Sequence, residues 1–339
     1  MDASGIESLL KKLTDTFTER LHQDGIGEFA PAPPQLFHYT SDEGLKGIIE
    51  RDVIWSTNYR YVNDLTEIIY ANDILRDEIL ARLASANPLI HAVLDAVLNT
   101  PDLLVGAVDV FIACFCEEGD LLSQWRAYGG RGGGYAIGYR DIAIRSKHFG
   151  LAYNLYRVNY EEAQQREIIR HLLDLFCGAV EQLGTGINPA TIDSPVLYSK
   201  VDVDKGDVTI ESSLPEPLGT LCWCLATAFI RVACCFKNPN FAIEKEWRIV
   251  LFGLSERSAV PYNLKLRTLG ATIIPYVELP LFTKDHPTRP GERDSNFSIE
   301  KIVYGPGLNP QVTERSIQYL TAKFPQAVPT EPSRIRAKV

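Results

Sequence analysis

No stretch limits the fold more than Val108 to Cys116, VDVFIACFC. Apolar, β-branched and aromatic residues fill both alternating sets of positions, which predicts a central strand buried on both faces. Such a strand needs cover above and below. Cys114 and Cys116 flank Phe115 within it, so both thiols point to one side. Further strands are expected at Leu36–Tyr39, Val53–Thr57, Tyr135–Tyr139, Leu151–Tyr160, Ala242–Leu251, Pro275–Glu278 and Ile299–Tyr304. Helical spacing or composition marks Ile6–Leu21, Glu67–Leu98 with a break at Asn87-Pro88, Glu161–Leu183 and Leu221–Phe236. The mixture predicts an α+β protein, a small twisted sheet with helices packed outside.

Leu36 to Glu67 gathers most of the polar residues suited to a small ligand. Thr40 reads as an N-cap completed three residues on by Glu43, and Leu45, Ile48 and Ile49 would seat the helix that follows. His38 then stands where a strand meets a helix, a junction at which side chains and backbone donors converge. Asp64 and Glu67 repeat the capping pattern after Val53–Thr57, with Asn63 beside them at the entry turn. Asn63 is read as turn chemistry or as a ligand contact.

Domain organisation follows from composition shifts. Residues 1–34 form an amphipathic helix and a Pro-rich connector; residues 35–310 form one α+β domain with a polar insertion near 184–218; residues 311–339 form a helix and a loose Pro-rich, basic tail. The first helix is expected to pack on the body or on a second copy, giving a homodimer. With 43 acidic against 34 basic residues the net charge is −9, and no basic run occurs, which argues against gripping duplex nucleic acid electrostatically. No apolar run is long enough to span a bilayer, so no membrane partner is expected. Seven cysteines in apolar surroundings suggest reduced thiols and a cytoplasmic protein. Cys222-x-Cys224 and Cys234-Cys235 lack knuckle spacing, so no metal is expected.

Two other segments carry chemistry. Trp125 and Tyr128 are three apart on a short helix and either stack a flat ring or belong to the core. Gly129 to Gly134, five glycines in six residues, makes a hairpin turn or covers a ligand. Ala242 to Leu251, read as a strand, puts Glu244, Glu246 and Arg248 on one face. Two carboxylates beside an arginine are either solvated or satisfied by a ligand or the arginine.

The order HYTS…IW.S…ND..E, ACFCE….S.W..YG….G.AIGY, EKEWRIV, KIVYGPG resembles a bacterial family known as domain-of-unknown-function family 2971 over roughly residues 36–308. Its opening in turn resembles the first motif of NAD-dependent ADP-ribosyltransferases, and EKEWRIVL resembles their E-x-E segment. The resemblance implies a split, twisted sheet and NAD as a substrate. It implies that His38 bonds a ribose hydroxyl with Thr40 nearby, and that Tyr39, Trp125 or Tyr128 packs the nicotinamide. Ser56 stands for the middle-strand serine, although Trp55-Ser56-Thr57-Asn58 lacks a full S-T-S. Glu246 would stabilise the oxocarbenium ion as catalytic carboxylate and Glu244 would orient the acceptor, with Arg248 beside them. The acceptor would be a protein or nucleic acid, and the role that of a toxin or antiphage effector. A hydrolase of NAD or another nucleotide, and a nucleotide-binding sensor without catalysis, are the alternatives.

Overall fold

The structure is a computed structural model and describes residues 3–27, 29–62, 66–100, 110–129, 133–140, 145–148, 151–192, 197–202, 207–212, 214–252, 264–269, 271–279, 299–324 and 326–335. Helix α1 (Ala3–Gln23) leads to strand β1 (Gln35–Thr40), α2 (Asp42–Arg51), β2 (Ile54–Asn58), α3 (Thr66–Leu83) and α4 (Pro88–Leu98). Then come β3 (Val110–Cys116), the short α5 (Leu122–Tyr128), β4 (Tyr135–Arg140), β5 (Arg145–His148), β6 (Leu151–Arg157) and α6 (Glu162–Leu183). The chain continues through β7 (Leu197–Asp202), β8 (Asp207–Ser212), α7 (Leu218–Ala233), β9 (Glu246–Phe252), β10 (Leu264–Leu269) and β11 (Thr272–Leu279). It ends with β12 (Ile299–Tyr304), α8 (Pro310–Leu320) and β13 (Thr330–Pro332).

β3 is the hub, as its unbroken apolar pattern predicts. On one edge it pairs along its whole length with β9, from Val110↔Phe252 to Cys116↔Glu246, and β9 passes the sheet on to β6 and β5. The other edge is shared. Phe111 and Ile112 pair with Asn58 and Thr57 of β2, while Cys116 pairs with Phe37 of β1. The sheet therefore splits into a wing β2–β11–β10 and a wing β1–β4–β12–β13, eleven strands in one open, mixed sheet and larger than the small sheet expected. β12–β13 is parallel and the other strand pairs of this sheet are antiparallel among the described residues.

Cover comes from both sides. Val110, Ile112 and Val250 pack with Ile230 and Cys234 at the end of α7, behind which α1, α3, α4, α6 and α7 share a second cluster. Phe111, Phe115, Trp247 and Ile249 point the other way, against Leu45, Ile48 and Ile49 of α2 and Ile317 of α8. Each such fully buried side chain stabilises the fold by roughly 1.5–3 kcal/mol. α1 joins the helical layer through Phe17 and Leu21. No helix among the described residues is long and apolar enough to cross a membrane.

Local chemistry shifts some expected boundaries. α2 is capped by Ser41, whose Oγ accepts from Gly44 N, and not by Thr40. Thr40 is still extended, paired with Tyr135, so the cap moves one residue on. Asp64, on which the second capping box depends, lies outside the described residues. Asn87 caps α4 through Leu89 N and Ile90 N, with Pro88 at its first position, where a missing N–H costs nothing. The 184–218 insertion contains a two-stranded hairpin, β7–β8, that forms a sheet of its own. The C-terminal segment, expected to be loose, adds β13 to β12, and Asp120 holds it by accepting from Ser333 Oγ and Arg334 N. The glycine loop is explained in part by close backbone approach: a Cβ on Gly305 would lie 1.6 Å from Gly133 O.

Candidate functional site

The split in the sheet creates the site. Ala113, Cys114 and Phe115 face β9 on one edge, but on the other they fall between the stretch matched to β2 and the residue matched to β1. In that gap the Cys114 carbonyl accepts a hydrogen bond from His38 Nδ1 at 2.8 Å. A carbonyl can only accept, so Nδ1 carries the proton and Nε2 keeps its lone pair. Burial lowers the His38 pKa below its ordinary value, outweighing the bond to Cys114 that favours the charged ring. The imidazole is held neutral, in one tautomer.

β9 supplies the opposite wall. Glu246 and Arg248 share the face of Cys116 and Cys114, their register partners, and both are almost wholly buried. Arg248 Nε and Nη2 grip the Glu246 carboxylate at 2.8 and 3.0 Å, and its Nη1 donates to the Cys234 carbonyl at 2.8 Å. Lys237 Nζ shares the Glu246 Oε2 atom with Arg248 Nη2, at 2.8 Å, and lies 2.6 Å from Glu244. Two carboxylates and two cations thus form a neutral quartet, the arrangement that lets such charges be buried at all. Burial alone would raise the Glu246 pKa, but Arg248 and Lys237 outweigh it and hold the carboxyl at about 2. Glu246 is ionised at neutral pH.

The expectation of a continuous strand from Ala242 is corrected. Pro239–Glu244 is a 3-10 turn and Lys245 takes a left-handed conformation at φ 44°, so β9 begins only at Glu246. Glu244 and Glu246 are nonetheless brought together, by Lys237 and not by strand alternation. Nor is the charged face solvated, since helices cover it. Further bonds brace the quartet. Glu246 N donates to Tyr160 Oη, Gln165 Nε2 donates to the carbonyls of Lys237 and Asn159, and Tyr70 Oη donates to Gln165 Oε1.

His38, Tyr39, Cys114, Cys116, Gln124, Tyr128, Glu244 and Glu246 line one cavity of about 30 Å³. That volume holds about one water molecule. Tyr128 is over a third exposed and forms the outer wall. Tyr39 is committed elsewhere: its hydroxyl donates to the Glu118 carbonyl and accepts from Leu121 N, pinning the turn before α5. Trp125 packs edge-on against Tyr39, donates Nε1–H to Asp120 and is fully buried in the core. It is not part of the cavity lining. Burial pushes the Cys116 thiol well above its ordinary range, which leaves it protonated and a poor nucleophile.

Other expected residues lie apart. Ser56 is opposite Val277, on the side of the sheet occupied by Phe111 and Trp247, with its Oγ buried and lacking a hydrogen-bond partner among the described residues. Thr57, not Ser56, shares the Glu246 face, through Ile112 and Val250. Thr40 Oγ1 lies over Gly44, where a Cβ would be only 1.8 Å away. Asn63 is outside the described residues. Lys237 was not anticipated, and the one signal for it is a lysine closing the apolar run Ala233–Phe236.

No curated protein and no solved structure matches the chain. Residues 124–249 match the model of a family described as "Protein of unknown function (DUF2971)", a span that holds Tyr128, Lys237, Glu244, Glu246 and Arg248 and leaves His38 outside it.

Proposed function

We propose that this chain is an ADP-ribosyltransferase that takes NAD as substrate and modifies a macromolecular acceptor at the His38–Glu246 cavity. One observation carries the reading: a neutral imidazole and an ionised carboxylate, from segments far apart in sequence, face the same small space. NAD offers an N-glycosidic bond to a cationic ring, and its cleavage leaves positive charge on the ribose. Glu246 is a fixed negative charge suited to that development, and needs no proton transfer to become so. His38 Nε2 can accept from a sugar hydroxyl, and Tyr128 offers a flat, partly exposed ring.

The donor set fits; the present volume does not. Pockets for small molecules run to about 300 Å³ and above, roughly ten times this cavity. Binding therefore requires Tyr128, the exposed outer wall, to turn outward.

The closed volume and the neutral quartet favour a second reading, in which the quartet is a buried structural junction and no nucleotide binds. Labelled NAD incubated with the chain and a cell lysate separates the two. Label entering protein or nucleic acid with the parent chain, and not with Glu246→Gln, is the expected result. Free ADP-ribose without labelled acceptor would make the chain a hydrolase. No calorimetric signal with NAD would sink both enzymatic readings.

A further inference from the structure

The quartet contains an asymmetry that the transferase reading leaves unused. Arg248 is anchored at three points, twice to Glu246 and once to the Cys234 carbonyl, so it cannot leave without stranding a backbone acceptor. Lys237 is held differently. Its Nζ bridges Glu246, on a strand inside the sheet, and Glu244, at the end of a single 3-10 turn and more open to solvent. Its ammonium also lies 5.3 Å from the Phe241 ring, on the same turn as Glu244. Glu244 and Phe241, two of the groups that hold it, thus belong to the outer turn. A compact ammonium on a flexible stem can change partners where a forked guanidinium cannot.

Charge balance gives this consequence. With Lys237 in place, a positively charged ligand group would bring the buried site to a net charge of +1, which low-dielectric surroundings oppose. With Lys237 displaced and Glu244 still lining the cavity, the two carboxylates balance Arg248 and the ligand cation, and the site is neutral again. We infer that Lys237 is an internal substitute for a cationic ligand group, which displaces it from between Glu244 and Glu246, and that Glu244 is the second carboxylate facing that group. The inference rests on the transferase reading for the identity of that ligand, the pyridinium ring of NAD. It gives Glu244 a role different from acceptor orientation, and adds Lys237 as a specificity-determining residue.

NAD and NADH test this directly, because they differ at the ring by one hydride and the positive charge. Calorimetric titration of the parent chain, Lys237→Met and Glu244→Gln with both nucleotides is the experiment. Lys237→Met is expected to tighten NAD on the order of tenfold and leave NADH little changed, since one opposing charge is removed at hydrogen-bonding range. Glu244→Gln leaves Lys237 with Glu246 alone and is expected to weaken NAD and not NADH. Equal shifts for both nucleotides, or none in either variant, would overturn the inference while leaving NAD binding and Glu246-dependent transfer intact. Binding of neither nucleotide to any chain would overturn the inference and the transferase reading together. Should Lys237→Met fail to unfold cooperatively, Glu244→Gln, altered on an outer turn, decides the matter alone.

Discussion

Glu246 and Arg248 test each other's value to the fold. Arg248→Met leaves a buried carboxylate with Lys237 as its remaining strong partner and is expected to destabilise the chain by about 3–5 kcal/mol in urea unfolding. Glu246→Gln keeps the shape but leaves the Arg248 guanidinium buried without its carboxylate, so its cost should be comparable. The same carboxylate shapes the acid limb of stability. Its folded pKa, about 2, lies below its unfolded value, so its contribution is complete above that unfolded value and fades as pH falls towards 2. Glu246→Gln should flatten the loss of stability over that window, measured as the unfolding midpoint against pH. For His38 the expected readout is a ¹⁵N imidazole spectrum showing the Nδ1–H tautomer, with a titration midpoint below 6.5. Side-chain identity made His38 and Glu246 legible beforehand through the resemblance they carry. Lys237 was not legible, because its partners lie across a 3-10 turn and a left-handed residue that no local pattern announces.

Elements were read well where one physical term dominates. The apolar run marked β3, and Leu45, Ile48 and Ile49 marked α2, because burial alone fixes those periodicities. Errors arose where two terms compete. Thr40 and Ser41 are both good caps, and strand pairing of Thr40 decided between them. Glu244 carries strand alternation in sequence, but Pro239 and the Asn238 cap favour a turn. The tail's proline and charge read as loose until β12 offered it an edge. Ending the chain before Thr330 removes that strand and the Asp120 bonds, and should lower Tm by about 3 °C or more, read by calorimetry. Two glycines give opposite expectations. Gly305→Ala drives a methyl into the Gly133 carbonyl and should cost about 3 kcal/mol. Gly178→Ala, in α6 with nothing within 4 Å, should add up to about 1 kcal/mol, both read by denaturant unfolding.

The whole molecule is a sheet with unequal fastening. β3 and β9 are buried on both faces and flanked by strands, so their amides should exchange slowest with deuterium, and those of the outer strands β10 and β13 fastest. Fast exchange along β3 would contradict its place as hub. The seams beside β3 differ more sharply still: seven matched pairs join it to β9, two to β2 and one to β1. Under load, that last seam is where this sheet would tear first. Beside the Phe37–Cys116 pairing, the imidazole latch on the Cys114 carbonyl and the Tyr39 hydroxyl between Glu118 and Leu121 hold that seam, so two neighbouring side chains of β1 guard the easiest route into the interior.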